Sequence, residues 1–284
     1  MFRRLSVLLA LLVFSAAVHA DTGRGGVRKQ VESSLSVTGT VDITPAGDVV
    51  AHTLDQPEKL PKGIVDMVAR IAPRWKFESI PLQGNAVSRS AMSLLFVAKK
   101  HDDGQLTVEL RSASFNGPSP QGRTTLDKKT FRTPDYPFAA LGGSGVSGTV
   151  YLVVRYDREG RILDIDAEQV NMRVIGTEAQ MAQWRRALTQ SCLTAAKRWK
   201  LVVPDGGIPK DRDFTVGRIP VSFSMESMRE TRYGQWEAYI PGPRASIPWM
   251  ANTSLAGSAP DAFAPGAFHS ADAQRHLLTS LSDG

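Results

Sequence analysis

The chain has 284 residues, 42% of them hydrophobic and 22% charged, enough for one large domain or two ordinary ones with their own cores. The formal charge is +6, but the basic residues are scattered with no run longer than a pair, which argues against the clustered basic face that nucleic-acid binding requires. A single cysteine, Cys192, leaves no partner for an internal disulfide.

In chain order, Met1–Ala20 reads as a secretory signal peptide. Arg3 and Arg4 form the charged start, Leu5 to Val18 is an apolar run of 14 residues, and Val18-His19-Ala20 offers small or modest side chains for cleavage. The run falls short of the roughly 20 apolar residues of a spanning helix. The expected product begins at Asp21, carries a charge of +4, and lies in a periplasm-like compartment with no stable membrane span. Asp21 to Lys29 is rich in Gly and Arg and reads as loose.

Val37 to Ile43 alternates apolar and polar residues and reads as a half-buried strand. Pro45-Ala46-Gly47-Asp48 is a turn, and Val49 to Leu54 is the return strand. Ile64, Met67, Val68 and Ile71 recur at helical spacing, which predicts a short helix from about Pro61 to Ile71. Trp75-Lys76-Phe77 follows it. Strands are expected over Met92–Lys100 and Leu106–Ala113, around the turn His101-Asp102-Asp103-Gly104.

The second half repeats this order with longer parts. Tyr151–Tyr156 and Arg161–Val170 form a hairpin about Asp157-Arg158-Glu159-Gly160, and a long helix covers about Glu178 to Lys197. Thr177-Glu178-Ala179-Gln180 has the form of a capping box. Trp199-Lys200-Leu201 mirrors Trp75-Lys76-Phe77, and Phe214 to Ser224 is a last strand. The Gly-to-Trp interval is 36 residues from Gly39 to Trp75 and 51 from Gly148 to Trp199, so the copies have diverged. Cys192 falls on the apolar stripe of the long helix with Met181, Trp184, Leu188, Ala195 and Trp199, where a buried, inert thiol is expected.

The fold expected is therefore α+β: two β-β-α-β units, each an antiparallel sheet packed on one helix. The first spans 30–115 and the second 134–232, joined by a linker at 116–133. Residues 233–284 turn to Gly, Pro, Ala and Ser and read as a largely disordered tail, with Trp236, Tyr239 and Trp249 as exceptions and a weak helix at Ser270–Leu281.

Pro134–Phe223 resembles the C-terminal domain of the TonB family. The matching residues are Pro134, Tyr136-Pro137, Gly148-Thr149-Val150, Leu152, Val154, the turn glycine Gly160, Trp199, Pro204, Pro220 and Phe223. Val37–Phe77 looks like a degenerate copy without the P-x-Y-P opening. The resemblance implies a non-enzymatic periplasmic module that contacts a protein partner, an outer-membrane receptor or another envelope protein, in transport or assembly; pairing with a second copy stays open. Energy transducers of that family keep a membrane anchor and a long Pro-rich spacer, and this chain has neither. Ser15 and His19 do have the spacing of serine and histidine in such anchors, so a membrane-anchored transducer is the alternative reading, and an enzyme of unrecognised type is the second.

No catalytic, cofactor-binding or metal-binding residue emerges. Gly143-Ser144-Gly145-Val146-Ser147-Gly148 matches G-x-G-x-x-G but precedes a strand, whereas a dinucleotide site needs it to open a helix. His52, His101, His269 and His276 have no partner at metal-ligand spacing. Asp164 and Asp166, placed on one strand face with Ile162, read as a solvated face rather than an acid/base pair. The partner-binding candidates are Phe214, Thr215, Val216, Arg218, Pro220 and Ser222. Ile219, Val221 and Phe223 are expected to pack on the helix, and Pro220, lacking an N–H, points to a sheet edge that a partner strand could join.

Overall fold

The computed structural model describes residues 23–79, 87–101, 103–116, 122–143, 145–224, 232–251, 253, 255, 258–262, 268–273 and 275–281. The expected signal peptide and residues 117–121 of the expected linker lie outside the described residues. The architecture is α+β, built mostly from antiparallel sheets with few helices. No helix among the described residues is long and apolar enough to cross a membrane.

A short helix α1 (Arg24–Arg28) leads into β1 (Glu32–Ile43), where a loose segment was expected. Its Val27 is buried in the core of the second half of the chain. The first sheet is centred on β1. On one side β1 pairs with β2 (Val49–Leu54), and on the other with β3 (Ser88–Lys100), which pairs in turn with β4 (Leu106–Asn116). Leu35, Val37, Val41 and Ile43 of β1 pack with Ile64, Val68 and Ile71 of helix α2 (Lys62–Ile71). Alternation along the strand and the i, i+4, i+7 recurrence along the helix aim these apolar groups at one another.

In the second half, β6 (Gly148–Asp157) lies between β7 (Ile162–Met172) and β9 (Phe214–Phe223). Val150, Leu152, Val154 and Tyr156 pack with Met181, Trp184, Leu188, Cys192 and Ala196 of helix α3 (Glu178–Ala196). The capping box at the start of α3 is formed: Gln180 N donates to Thr177 Oγ1 at 3.3 Å, and Thr177 N donates to Gln180 Oε1 at 2.9 Å. In both halves the strand after the helix lies beside the first strand of the hairpin, on the side away from the hairpin's return strand.

The two hairpin turns close alike. Gly47 N donates to Thr44 O at 2.9 Å, and Gly160 N to Asp157 O at 3.0 Å. Asp48 N donates to Thr44 Oγ1 at 3.0 Å, and Arg161 N to Asp157 Oδ1 at 2.8 Å. Gly47 (φ 92°) and Gly160 (φ 73°) sit in the left-handed region, and a Cβ on either would collide with the carbonyl of Phe77 or of Leu201. The chain leaving each tryptophan docks on these turns: Phe77 N donates to Gly47 O and Leu201 N to Gly160 O, both at 2.8 Å.

Each exit segment is also held on its far side, by a different stretch of chain. Lys76 O accepts from Leu278 N at 2.7 Å, and Lys200 O accepts from Asp127 N at 2.9 Å. Lys76 N donates to Thr279 Oγ1 at 3.2 Å, and Lys200 N to Thr130 Oγ1 at 3.0 Å. The linker contributes β5 (Thr125–Leu126), paired with β8 (Leu201–Val202). The landmark common to the halves is thus the turn glycine, 28 residues before Trp75 and 39 before Trp199. Gly39 is not the counterpart of Gly148: the turn-based register aligns it with Leu152, since Gly39 faces Met92 of β3 as Leu152 faces Ile219 of β9. Most of the difference in interval comes from the helices, 10 residues in α2 against 19 in α3.

The segment after 232, expected to be largely disordered, is packed over the described residues. β10 (Glu237–Tyr239) pairs with Glu32–Ser34 of β1, extending the row begun by the short β2. Ile240 and Met172 then exchange backbone bonds at 3.0 and 2.7 Å, which ties this segment to β7. Ile247 and Met250 bury against Val153, and Leu255 against Val216. β11 (His269–Ser270) pairs with Gly217 and Arg218 of β9. Among the described residues no α-helix forms at Ser270–Leu281: after one short 3-10 turn at Ala271–Ala273, residues 275–279 run antiparallel past Glu78 to Lys76. Composition misled because Gly, Pro, Ala and Ser cannot build a core of their own, whereas here each buried tail side chain uses a surface that the two sheets already supply.

Candidate functional site

The six residues expected to meet a partner lie together on β9, and the strap formed by the described residues between 233 and 281 reaches two of them, Val216 and Arg218. Phe214 is 43% exposed, while Thr215 is 4%, Val216 2% and Arg218 0% exposed; Pro220 is buried and Ser222 is exposed. The expectation concerned the backbone edge of β9, and these side-chain exposures do not decide it. Ile219 and Phe223, with Val221 beside them, do pack on the helix side as expected. Pro220 lies opposite Tyr151 within the β6–β9 ladder. Among the described residues β11 borders β9 only at Gly217 and Arg218, so from Ile219 to Phe223 β9 is paired on one side alone.

Arg218 is sequestered by chemistry that the sequence pattern did not reveal. The β6–β7 register passes from Tyr151↔Gln169 to Leu152↔Ala167, leaving Glu168 as the extra residue of a β-bulge. Glu168 and Arg218 are both fully buried, and Glu168 Oε2 accepts from Arg218 Nε at 2.8 Å and from Nη2 at 2.7 Å. The other oxygen, Oε1, accepts from Arg244 Nε at 2.9 Å and Nη2 at 2.6 Å. Arg218 also donates to Ser258 Oγ at 3.0 Å and to Leu255 O at 3.3 Å. Burial lowers the Arg218 pKa against the opposing pull of Glu168. An arginine starts so high that it stays charged. The cluster clamps the strap to the face of the second sheet opposite α3.

The faces of the two sheets turned from their helices approach each other with strap residues between them. They enclose a polar cleft of about 60 Å³ lined by Ser34, Ser36, Thr149, Asn171, Tyr239 and Asp261 among others. Tyr239 Oη lies 3.0 Å from Glu32 Oε2 and 3.1 Å from Asp261 Oδ2. A phenol has one proton to give, so Tyr239 donates to one of the two acids at a time. Glu32 is held by the fork of Arg111, at 2.6 and 3.3 Å. Burial pushes the Asp261 carboxyl above its ordinary value of 3.8, against the bond from Tyr239. Burial also raises the pKa of Tyr151 and Tyr239, holding both as neutral phenols. Arg173 pairs with Glu237 at 2.6 Å and donates to Thr149 at 3.1 Å, joining β10 to the second sheet. The cleft is a hydrogen-bonded junction in which both halves and the strap share partners.

The remaining candidates stay apart. Among the described residues no group of three or more His, Cys, Asp or Glu side chains could hold a metal ion. A second bulge, at Leu163, turns Ile162 to the helix side and leaves Asp164 opposite Arg155, with which it forms an ion pair. The shared face expected for Ile162 and Asp164 is corrected by that extra residue. Cys192 is fully buried, and burial pushes its thiol up to about 12. Glu168, Arg244 and Asp261 escaped sequence reasoning because their partners lie far along the chain or in a bulge, whereas Tyr239, singled out as an exception in the tail, packs back against Glu32 of β1. No family model, curated protein or solved structure matches the chain.

Proposed function

We propose that the chain is a periplasmic, TonB-like protein-interaction module built from two related β-β-α-β units, and that it acts by pairing the edge of β9 with an extended segment of an envelope protein. The observation that carries this reading is the first unit itself. There β3 stands where β9 stands in the second, and its outer edge accepts β4 over ten residue pairs, from Ala91↔Asn116 to Lys100↔Leu106. Among the described residues the corresponding edge of β9 carries two pairs, both with β11. Main-chain hydrogen bonds along such an edge supply affinity, and alternate side-chain pockets supply selectivity. The matched turn, tryptophan exit and strand order of the two halves support the relation between the units, and the P-x-Y-P, G-T-V and P-V-x-F matches support the family likeness.

The test is capture of a partner from periplasmic extract by the chain beginning at Asp21, followed by hydrogen exchange on the complex. New protection at Ile219 and Val221–Ser222 is expected. Protection confined to the first unit would end the reading. N-terminal sequencing of fractionated cells separates it from an anchored transducer, which would retain residues 1–20 in the membrane.

A further inference from the structure

Gly217 sits in the middle of β9, where glycine weakens a strand and marks a close approach. The object that approaches is the Phe268 ring, which a Cβ at position 217 would overlap. Serine, Ser90, occupies the corresponding place in β3, opposite Val41 as Gly217 is opposite Val154. The Phe268 ring meets Tyr156 edge-on, with centroids 5.4 Å apart and planes at 77°. Burial raises the Tyr156 pKa, so its phenol is neutral, and its Oη lies 2.9 Å from Ser270 Oγ in a buried hydrogen bond. His269 and Ser270 lie in register with Arg218 and Gly217. Beyond them Ala271 buries with Val216 and Leu255, and Asp272 pairs with Arg212 at 3.0 Å. Five consecutive residues therefore meet a slot that selects at four of its positions: ring, hydroxyl, small side chain and acid. Among the described residues two pairs hold this strand, against ten for β4 on β3.

We propose that this slot, formed by Gly217, Tyr156, Val216, Arg212 and the edge of β9, is an exchangeable peptide-recognition site that Phe268–Asp272 fills in the resting chain. Its external ligand is an extended protein segment of pattern aromatic–x–Ser/Thr–small–Asp/Glu. The inference rests on the reading of β9 as a partner edge and adds what the partner must carry. Displacement of the chain's own segment frees Gly217 and Arg218 and extends the available edge to the full length of β9.

The probe is a fluorescein-labelled peptide of residues 267–272, Ala-Phe-His-Ser-Ala-Asp, titrated by anisotropy into the full exported chain and into its Phe268→Ala/Ser270→Ala variant. The variant binds the peptide. The unaltered chain, whose tethered segment competes at an effective concentration on the order of millimolar, binds at least about tenfold more weakly. A control peptide with alanine for Phe and Ser binds neither. Equal binding to both proteins, or equal binding of the control peptide, overturns the proposal. Should the variant fail to fold, hydrogen exchange on the unaltered chain decides. Amides of Gly217 and Ser270 exchanging about tenfold faster than those of β6 uphold an opening strap, and rates equal to β6 overturn it. A captured partner that protects Ile219 and Val221–Ser222 without changing Gly217 or Ser270 preserves the interaction reading and removes the strap from it. Peptide binding to the opened slot, with no partner protection on β9, does the reverse.

Discussion

Glu168 in the bulge of β7 reaches across the central strand β6 to hold Arg218 of β9 at 2.7 Å, and neither side chain touches water. Taking two charges out of water is expensive, so such a pair is held by geometry: both carboxylate oxygens are occupied and the guanidinium has further acceptors at Ser258 and Leu255. Glu168→Gln leaves the Arg218 charge buried without a counterion and should remove about 3–5 kcal/mol of stability. The double change Glu168→Leu/Arg218→Met should cost less than Glu168→Gln alone. Urea unfolding measures both, and a Glu168→Gln loss under about 1 kcal/mol would contradict a desolvated pair.

Trp75 and Trp199 are each 3% exposed, one in each core. Alanine at either position should cost about 3–5 kcal/mol. Phenylalanine separates them. Trp199 Nε1 donates to Arg132 O at 3.0 Å, whereas Trp75 Nε1 has no hydrogen-bond partner among the described residues. Trp199→Phe should therefore destabilise by about 1 kcal/mol more than Trp75→Phe. Equal losses would assign the Arg132 contact no weight.

Gly160 combines a positive φ of 73° with a backbone contact that leaves no room for Cβ. Gly160→Ala should cost about 1–3 kcal/mol and loosen the Leu201 exit. Thermal unfolding gives the loss, and exchange of the Leu201 amide, bonded to Gly160 O at 2.8 Å, gives its location. An unchanged Leu201 amide would show that the turn does not hold the exit.

Burial removes Cys192 from solvent and pushes its thiol up to about 12. The thiolate is the reactive form, so the native chain should label slowly with a thiol reagent at neutral pH and quickly after denaturation. Rapid labelling of the folded chain would place Cys192 off the core face of α3.

The Asp261 carboxyl, raised above 3.8 by burial, gives a pH dependence of definite sign. A group with a raised folded pKa contributes stability that is complete below its unfolded value and is lost as the pH rises through the folded value. Glu32, Tyr239 and Arg111 are the charged or titrating groups coupled to it. Asp157 and Asp42, both lowered, oppose this slope: burial works against the Asp157 charge but bonds from Arg161 prevail, and the Asp42 shift comes from its bond to Arg89. The informative quantity is thus the difference between wild type and Asp261→Asn. Wild type should lose stability relative to the variant as the pH rises from 3.8, and the gap should level off above the folded pKa. A gap constant with pH would mean that Asp261 titrates normally.

The sequence by itself determined the parts that local physics controls. Alternation in Val37–Ile43 and Tyr151–Tyr156, the helical recurrence of Ile64, Val68 and Ile71, the Thr177–Gln180 box and the turn glycines Gly47 and Gly160 all act within a few residues, and β2 falls on its expected bounds, Val49–Leu54. The α+β class and the order of elements in each half follow from them. Tertiary structure alone decided the rest. The Glu168 bulge exists only in the pairing of β7 with β6, and the Arg218 pocket needs residues 244, 255 and 258. The strap has too few apolar residues to fold alone. Its described residues are held because the two sheets present an open row beside β1, the edge of β9 at Gly217 and Arg218, and polar faces to bridge, and those surfaces appear only once both halves have formed.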